Sequence, residues 1–110
     1  MSNSLHIAKK HEVKYADISS FKNKEIEFER LMYYLDIECE GNFPENFEIH
    51  KEDWRGGIDI LKKRKGKRHD DALANILKNL ELPLSQLIKL MENFLKQSDP
   101  NNDYMILSFF

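Results

Sequence analysis

The sequence predicts a helix-rich α+β domain, in which a small sheet formed by the N- and C-terminal strands carries about four helices packed on it. Three observations lead there. Apolar residues recur at helical spacing in four stretches through the middle of the chain, they alternate with period two near the N-terminus, and the last seven residues are apolar on both faces of a strand. At 110 residues the chain fits a single globular domain spanning 1–110. A domain of that size buries about two-thirds of its unfolded surface, so it folds without disulfides or a structural metal.

Between Leu5 and Tyr15, Leu5, Ile7, Val13 and Tyr15 hold odd positions, while His6, Lys10, Glu12 and Lys14 hold even ones. That alternation predicts one half-buried strand, with Lys9 and His11 marking a bulge, bend or fray inside it. Asp17, Ser19 and Ser20 supply turn and capping chemistry. Phe28, Leu31, Met32 and Leu35 then follow the i, i+3, i+4, i+7 template, so a helix is expected from about Asn23 to Asp36. Glu25, Glu29 and Arg30 face outward on it. Gly41-Asn42-Phe43-Pro44 is punctuation, and Phe47-Glu48-Ile49 reads as a short strand or an extended link.

A second helix is expected near Lys51, with Glu52 and Asp53 in its first turn, where negative charge suits the dipole. Trp54, Ile58 and Leu61 share one face, although Gly56-Gly57 weakens the helix or lets another backbone approach. Asp70 is a natural N-cap for a helix carrying Leu73, Ile76, Leu77 and Leu80. Past Pro83, Leu84, Leu87, Ile88, Met91, Phe94 and Leu95 define another. The turn at Ser98-Asp99-Pro100-Asn101-Asn102-Asp103 leads into the last strand, 104–110. A strand apolar on both faces belongs in the middle of a sheet, and the N-terminal strand is its natural partner.

Composition and charge narrow the function. A hydrophobic content of 41% places the chain among folded proteins despite 33% charge. The single cysteine, Cys39, fits a reducing compartment. No apolar leader opens the sequence and no apolar run approaches the roughly 18 residues that span a bilayer. The expected location is the cytoplasm, with no membrane association. The net charge of −2 conceals an uneven distribution: residues 17–61 carry −7, and Lys62-Lys63-Arg64-Lys65-Gly66-Lys67-Arg68 carries +6.

No catalytic constellation is legible. His6, His11, His50 and His69 have no metal-ligand spacing, and no second thiol accompanies Cys39. Glu38 and Glu40 flank Cys39 and disfavour its thiolate, so it reads as a small apolar filler. Gly56-Gly57 lacks the further glycines of a phosphate loop. The succession His50, His69-Asp70, Asp103 resembles the order of ligands in the HD phosphohydrolases, which implies a divalent metal that activates water. That family is wholly helical and longer, and Asp70 already has a capping role. Neither a cofactor nor a metal is expected.

The opening LHIAKKHEVKYADISSF and the closing NDYMILSFF resemble small uncharacterised proteins carried on bacterial mobile elements. Its compact size and acidity also resemble those of toxin-immunity proteins. The resemblances imply a bacterial, non-enzymatic binding role and carry no catalytic residues.

The expected function is therefore protein binding of an inhibitor or immunity kind, through an acidic face that docks on a basic partner. Its anchors are Glu25, Glu29, Asp36, Glu38, Glu40, Glu45 and Glu48, with apolar contact from Tyr33, Tyr34 or Trp54 where exposed. The alternative is nucleic-acid binding by Lys62, Lys63, Arg64, Lys65, Lys67 and Arg68, although no aromatic is interleaved there for base stacking. An enzymatic role is not expected. A homodimer through the terminal strand is open if that strand lies at a sheet edge.

Overall fold

The computed structural model describes residues 5–9, 14–18 and 21–109. Its elements run β1 (Leu5–Lys9), β2 (Lys14–Ile18), α1 (Glu25–Tyr34), β3 (Glu40–Gly41), β4 (Asn46–His50), α2 (Lys51–Lys63), α3 (Asp71–Leu80), α4 (Leu84–Gln97) and β5 (Tyr104–Phe109). The strands form one sheet in the order β2-β1-β5-β4-β3, every pairing antiparallel. The α+β class stands, and β1 and β5 lie side by side. β5 also pairs with β4, so the strand apolar on both faces is central.

The sheet is wider than the two terminal strands for two reasons. First, the segment from Leu5 to Tyr15 is not one strand. The chain reverses after Lys9, and β2 returns along β1 with Leu5 opposite Ile18 and Lys9 opposite Lys14. In that register odd residues of β1 meet even residues of β2, so a parity carried through the break no longer marks one face. In that register Asp17 sits opposite His6 within the sheet. Lys10, His11, Glu12, Val13, Ser19 and Ser20 lie outside the described residues. Second, Phe47-Glu48-Ile49 is the middle of β4, which pairs along its length with β5.

The helices cover one face of this sheet. Leu5, Ile7, Phe47, Ile49, Met105, Leu107 and Phe109 are buried beneath them. On the opposite face Asn46 and Glu48 are exposed, His6, His50, Tyr104 and Ile106 are half-buried, and Ser108 is buried. Phe28 of α1 is the aromatic hub, with ring centroids 5.2 Å from Phe21, 5.7 Å from Phe109 and 5.8 Å from Phe47. Trp54 of α2 stacks on Phe94 of α4 at 5.3 Å and donates its indole N–H to the Met91 carbonyl at 2.8 Å. That bond satisfies the one polar atom of a fully buried side chain.

α1 and α3 pack antiparallel, tied at both ends. Lys24 Nζ donates to the Asn79 carbonyl at 2.8 Å, beside the start of α1 and the end of α3. At the other end Tyr34 donates its hydroxyl to Asp70 Oδ2 at 2.8 Å, while Asp70 Oδ1 accepts from the Leu73 N–H as the α3 N-cap. In α2 the two glycines differ. A Cβ on Gly56 would meet open space, whereas one on Gly57 would come within 2.7 Å of Ile37 Cδ1. Gly57 thus admits side chains from the segment after α1, not a second backbone. Among the described residues no helix is long and apolar enough to cross a membrane.

Candidate partner-binding surfaces

The acidic surface is assembled around β3. After α1 the chain turns through Asp36, at a φ of 56°, and Ile37 inserts into the core with its N–H on the Met32 carbonyl at 2.8 Å. The extended stretch that follows leaves Glu38 and Glu40 exposed and tucks Cys39 halfway in between them. Gly41 then takes a φ of +111°, and any Cβ there would lie 2.8 Å from the Asn46 carbonyl oxygen. Only glycine closes this turn without strain. The Asn42 N–H reaches the Asn46 carbonyl at 2.7 Å, the hairpin folds back, and Glu48 lands directly opposite Glu40.

Two exposed carboxylates thus face each other across an antiparallel ladder, an arrangement that costs stability. Among the described residues no ion pair holds either of them. Glu29 and Glu38 belong to the same neighbourhood. Burial first, then the charges of Glu29 and Glu38, push the Cys39 thiol up to about 12. The thiol is therefore protonated at physiological pH and is no nucleophile, in agreement with its reading as filler.

The other acids divide. Asp36 and Glu45 are exposed, at the turn after α1 and the turn before β4. Glu25 is half-buried, and its Oε1 is out of solvent with no hydrogen-bond partner among the described residues, so it is withdrawn from the exposed face. Of the aromatic contacts, Trp54 is fully buried and Tyr34 is half-buried and bonded to Asp70. Tyr33 is 89% exposed.

The basic segment is the end of α2 and the turn that follows it. Lys62 pairs with Glu92 at 3.3 Å and Arg64 with Asp70 at 3.6 Å. Lys63, Lys65, Lys67 and Arg68 are exposed, and none is held by an ion pair among the described residues. Gly66, at a φ of +73°, turns the backbone between them. Cations at this end also suit the helix dipole.

Between α1 and α3 lies a feature not anticipated from the sequence, a groove of about 800 Å³ lined by Tyr33, Tyr34, Ala72 and Ile76, with Glu27, Glu29 and Arg30 along its α1 side. Ile26, also on α1, is 63% exposed. The signal was present: Ile26 and Tyr33 are seven apart on the side of the helix away from Phe28.

The residues that follow the HD order are not brought together. His50 and Asp103 line a small polar cleft where α2 begins, whereas His69 and Asp70 lie beyond the other end of that 13-residue helix. Among the described residues no group of three or more His, Cys, Asp or Glu side chains is positioned to hold a metal. Comparison with family models, curated proteins and solved structures found no match to this chain.

Proposed function

We propose that this chain is a non-enzymatic protein-binding module whose acidic edge at β3 and β4 docks on a basic partner. The observation that carries the reading is the exposed pair Glu40 and Glu48, held by no ion pair among the described residues, with Glu38 and Glu29 close by. Like charges held opposite one another weaken a hairpin, and cations supplied by a partner turn that repulsion into attraction. An inhibitor- or immunity-type role follows naturally, because a cluster of carboxylates mimics the phosphates that a nuclease or nucleic-acid-binding protein holds. Such a role belongs in the cytoplasm, where the lone cysteine stays reduced.

The test is capture from native lysate at low and high salt, with and without nuclease, using the intact chain and the triple variant E38K/E40K/E48K. A partner that survives nuclease, dissociates at high salt and is lost with the variant is the expected result. A partner retained equally by the variant refutes the acidic edge.

A second reading is favoured by Lys63, Lys65, Lys67 and Arg68 of the α2–α3 turn, four exposed cations that no ion pair holds among the described residues. They suit a phosphate backbone, with affinity falling steeply as salt rises. Fluorescence anisotropy with single-stranded and duplex oligonucleotides discriminates the two, since unchanged affinity after neutralising these residues removes nucleic acid from consideration.

A further inference from the structure

The outward face of α1 repeats the template of its buried face. Ile26, Glu29, Arg30 and Tyr33 stand at i, i+3, i+4 and i+7, opposite buried Phe28, Leu31 and Met32. Ile26 is 63% exposed and Tyr33 89% exposed, and the only other exposed large hydrophobic among the described residues is Ile60 at 37%. Two such side chains, two turns apart on one helix, with Tyr33 also lining the α1–α3 groove, mark a contact surface. We propose that this face binds a second copy of the chain, α1 against α1 across a two-fold axis.

The order of the charges selects that occupant. A two-fold contact must be self-complementary, so that if one residue meets a second, the second meets the first in return. An antiparallel pair of α1 helices centred between Glu29 and Arg30 meets that condition. Glu29 faces the partner's Arg30, and Arg30 faces the partner's Glu29. Ile26 lies across from the partner's Tyr33, and Tyr33 from the partner's Ile26. A parallel pair would instead oppose Glu29 to itself. A purely basic segment would meet Arg30 in the middle of the face, and a purely acidic one would meet Glu29.

Beside this face the α1–α3 groove carries Ala72, Asn75, Ile76 and Asn79 on its α3 wall. α1 has 10 residues, and one helix with a groove wall lies at the small end of specific interfaces, so a dissociation constant on the order of micromolar is expected. This surface also replaces the strand-edge dimer expected from the sequence, because β5 is covered on both sides by β1 and β4. The two proposals share Glu29, and the closing test separates them, because it reads self-association of the chain alone, whereas the acidic edge is tested at Glu38, Glu40 and Glu48.

Sedimentation equilibrium of the full chain over a concentration series tests it, with circular dichroism checking the fold of each variant. The wild type is expected to rise from 13.1 kDa toward twice that mass. E29R and R30E each weaken association at least about tenfold, and Y33D abolishes it. The double variant E29R/R30E restores it, because reversing both charges keeps every pair complementary. Mixing E29R with R30E also restores association, one face now all basic and the other all acidic. A wild type that stays at 13.1 kDa at every concentration overturns the proposal, as does a double variant or a mixture no better than the single variants.

Discussion

At Cys39 a single atom reports on its surroundings. Burial is the main reason its thiol is pushed up to about 12, and Glu29 and Glu38 add to it. A group whose pKa rises on folding contributes stability that is complete below its unfolded value of 9.0 and is lost as pH climbs through about 12. Tyr34, raised by burial and then by its bond to Asp70, acts with the same sign. Comparing wild type with Cys39→Ala by urea unfolding separates the two, and the difference between the proteins should shrink steadily from pH 9 to pH 12. At pH 8 iodoacetamide should alkylate the folded thiol more than about a hundredfold slower than the denatured one, from thiolate fraction alone. Rapid alkylation would mean that the segment around β3 opens readily.

Among the elements, α2 offers the sharpest contrast, because its adjacent glycines have opposite surroundings. At exposed Gly56 nothing lies near an added Cβ, so Gly56→Ala should stabilise the protein by about 0.5–1 kcal/mol through helix propensity alone. At buried Gly57 the same change pushes on Ile37 Cδ1 and Leu35 Cδ1, and repacking offsets the gain. Gly57→Ala should fall at least about 1 kcal/mol below Gly56→Ala in urea denaturation. Equal values would mean that Ile37 yields freely.

The helices were legible because each carries its own record of burial. Leu73, Ile76, Leu77 and Leu80 are buried as their spacing foretold, and Asp70 caps as expected. β2, β3 and the full extent of β4 were not legible, because their evidence lies in another segment. A strand of five residues beginning at Lys14 is defined by what β1 presents to it, and the two residues of β3 by the turn at Gly41. Hairpin register therefore decided both the N-terminal parity and the meeting of Glu40 with Glu48. On α1 the pattern was complete, but its apolar template was followed only on the core side, and Ile26, which joins Tyr33 on the other side, went unread.

For the whole molecule, the acidic residues were visible as a list, whereas their arrangement was not. Folding draws Glu25 inward, leaves Asp36 and Glu45 at separate turns, and sets Glu40 against Glu48. A surface selected only for solubility gains nothing from that last placement, since intermixed signs serve solubility equally well without the strain. A surface selected for a basic partner accepts it, because a binding site commonly trades stability for function. The two explanations give opposite results for one substitution. Glu40→Lys converts a repulsive cross-strand pair into an attractive one and should stabilise the isolated protein by about 0.2–1 kcal/mol. If the acidic edge binds, the same variant should lose capture of its partner at low salt. A more stable protein that binds less well is the signature of a functional charge pair, and a more stable protein that binds undiminished assigns Glu40 and Glu48 to solvation alone.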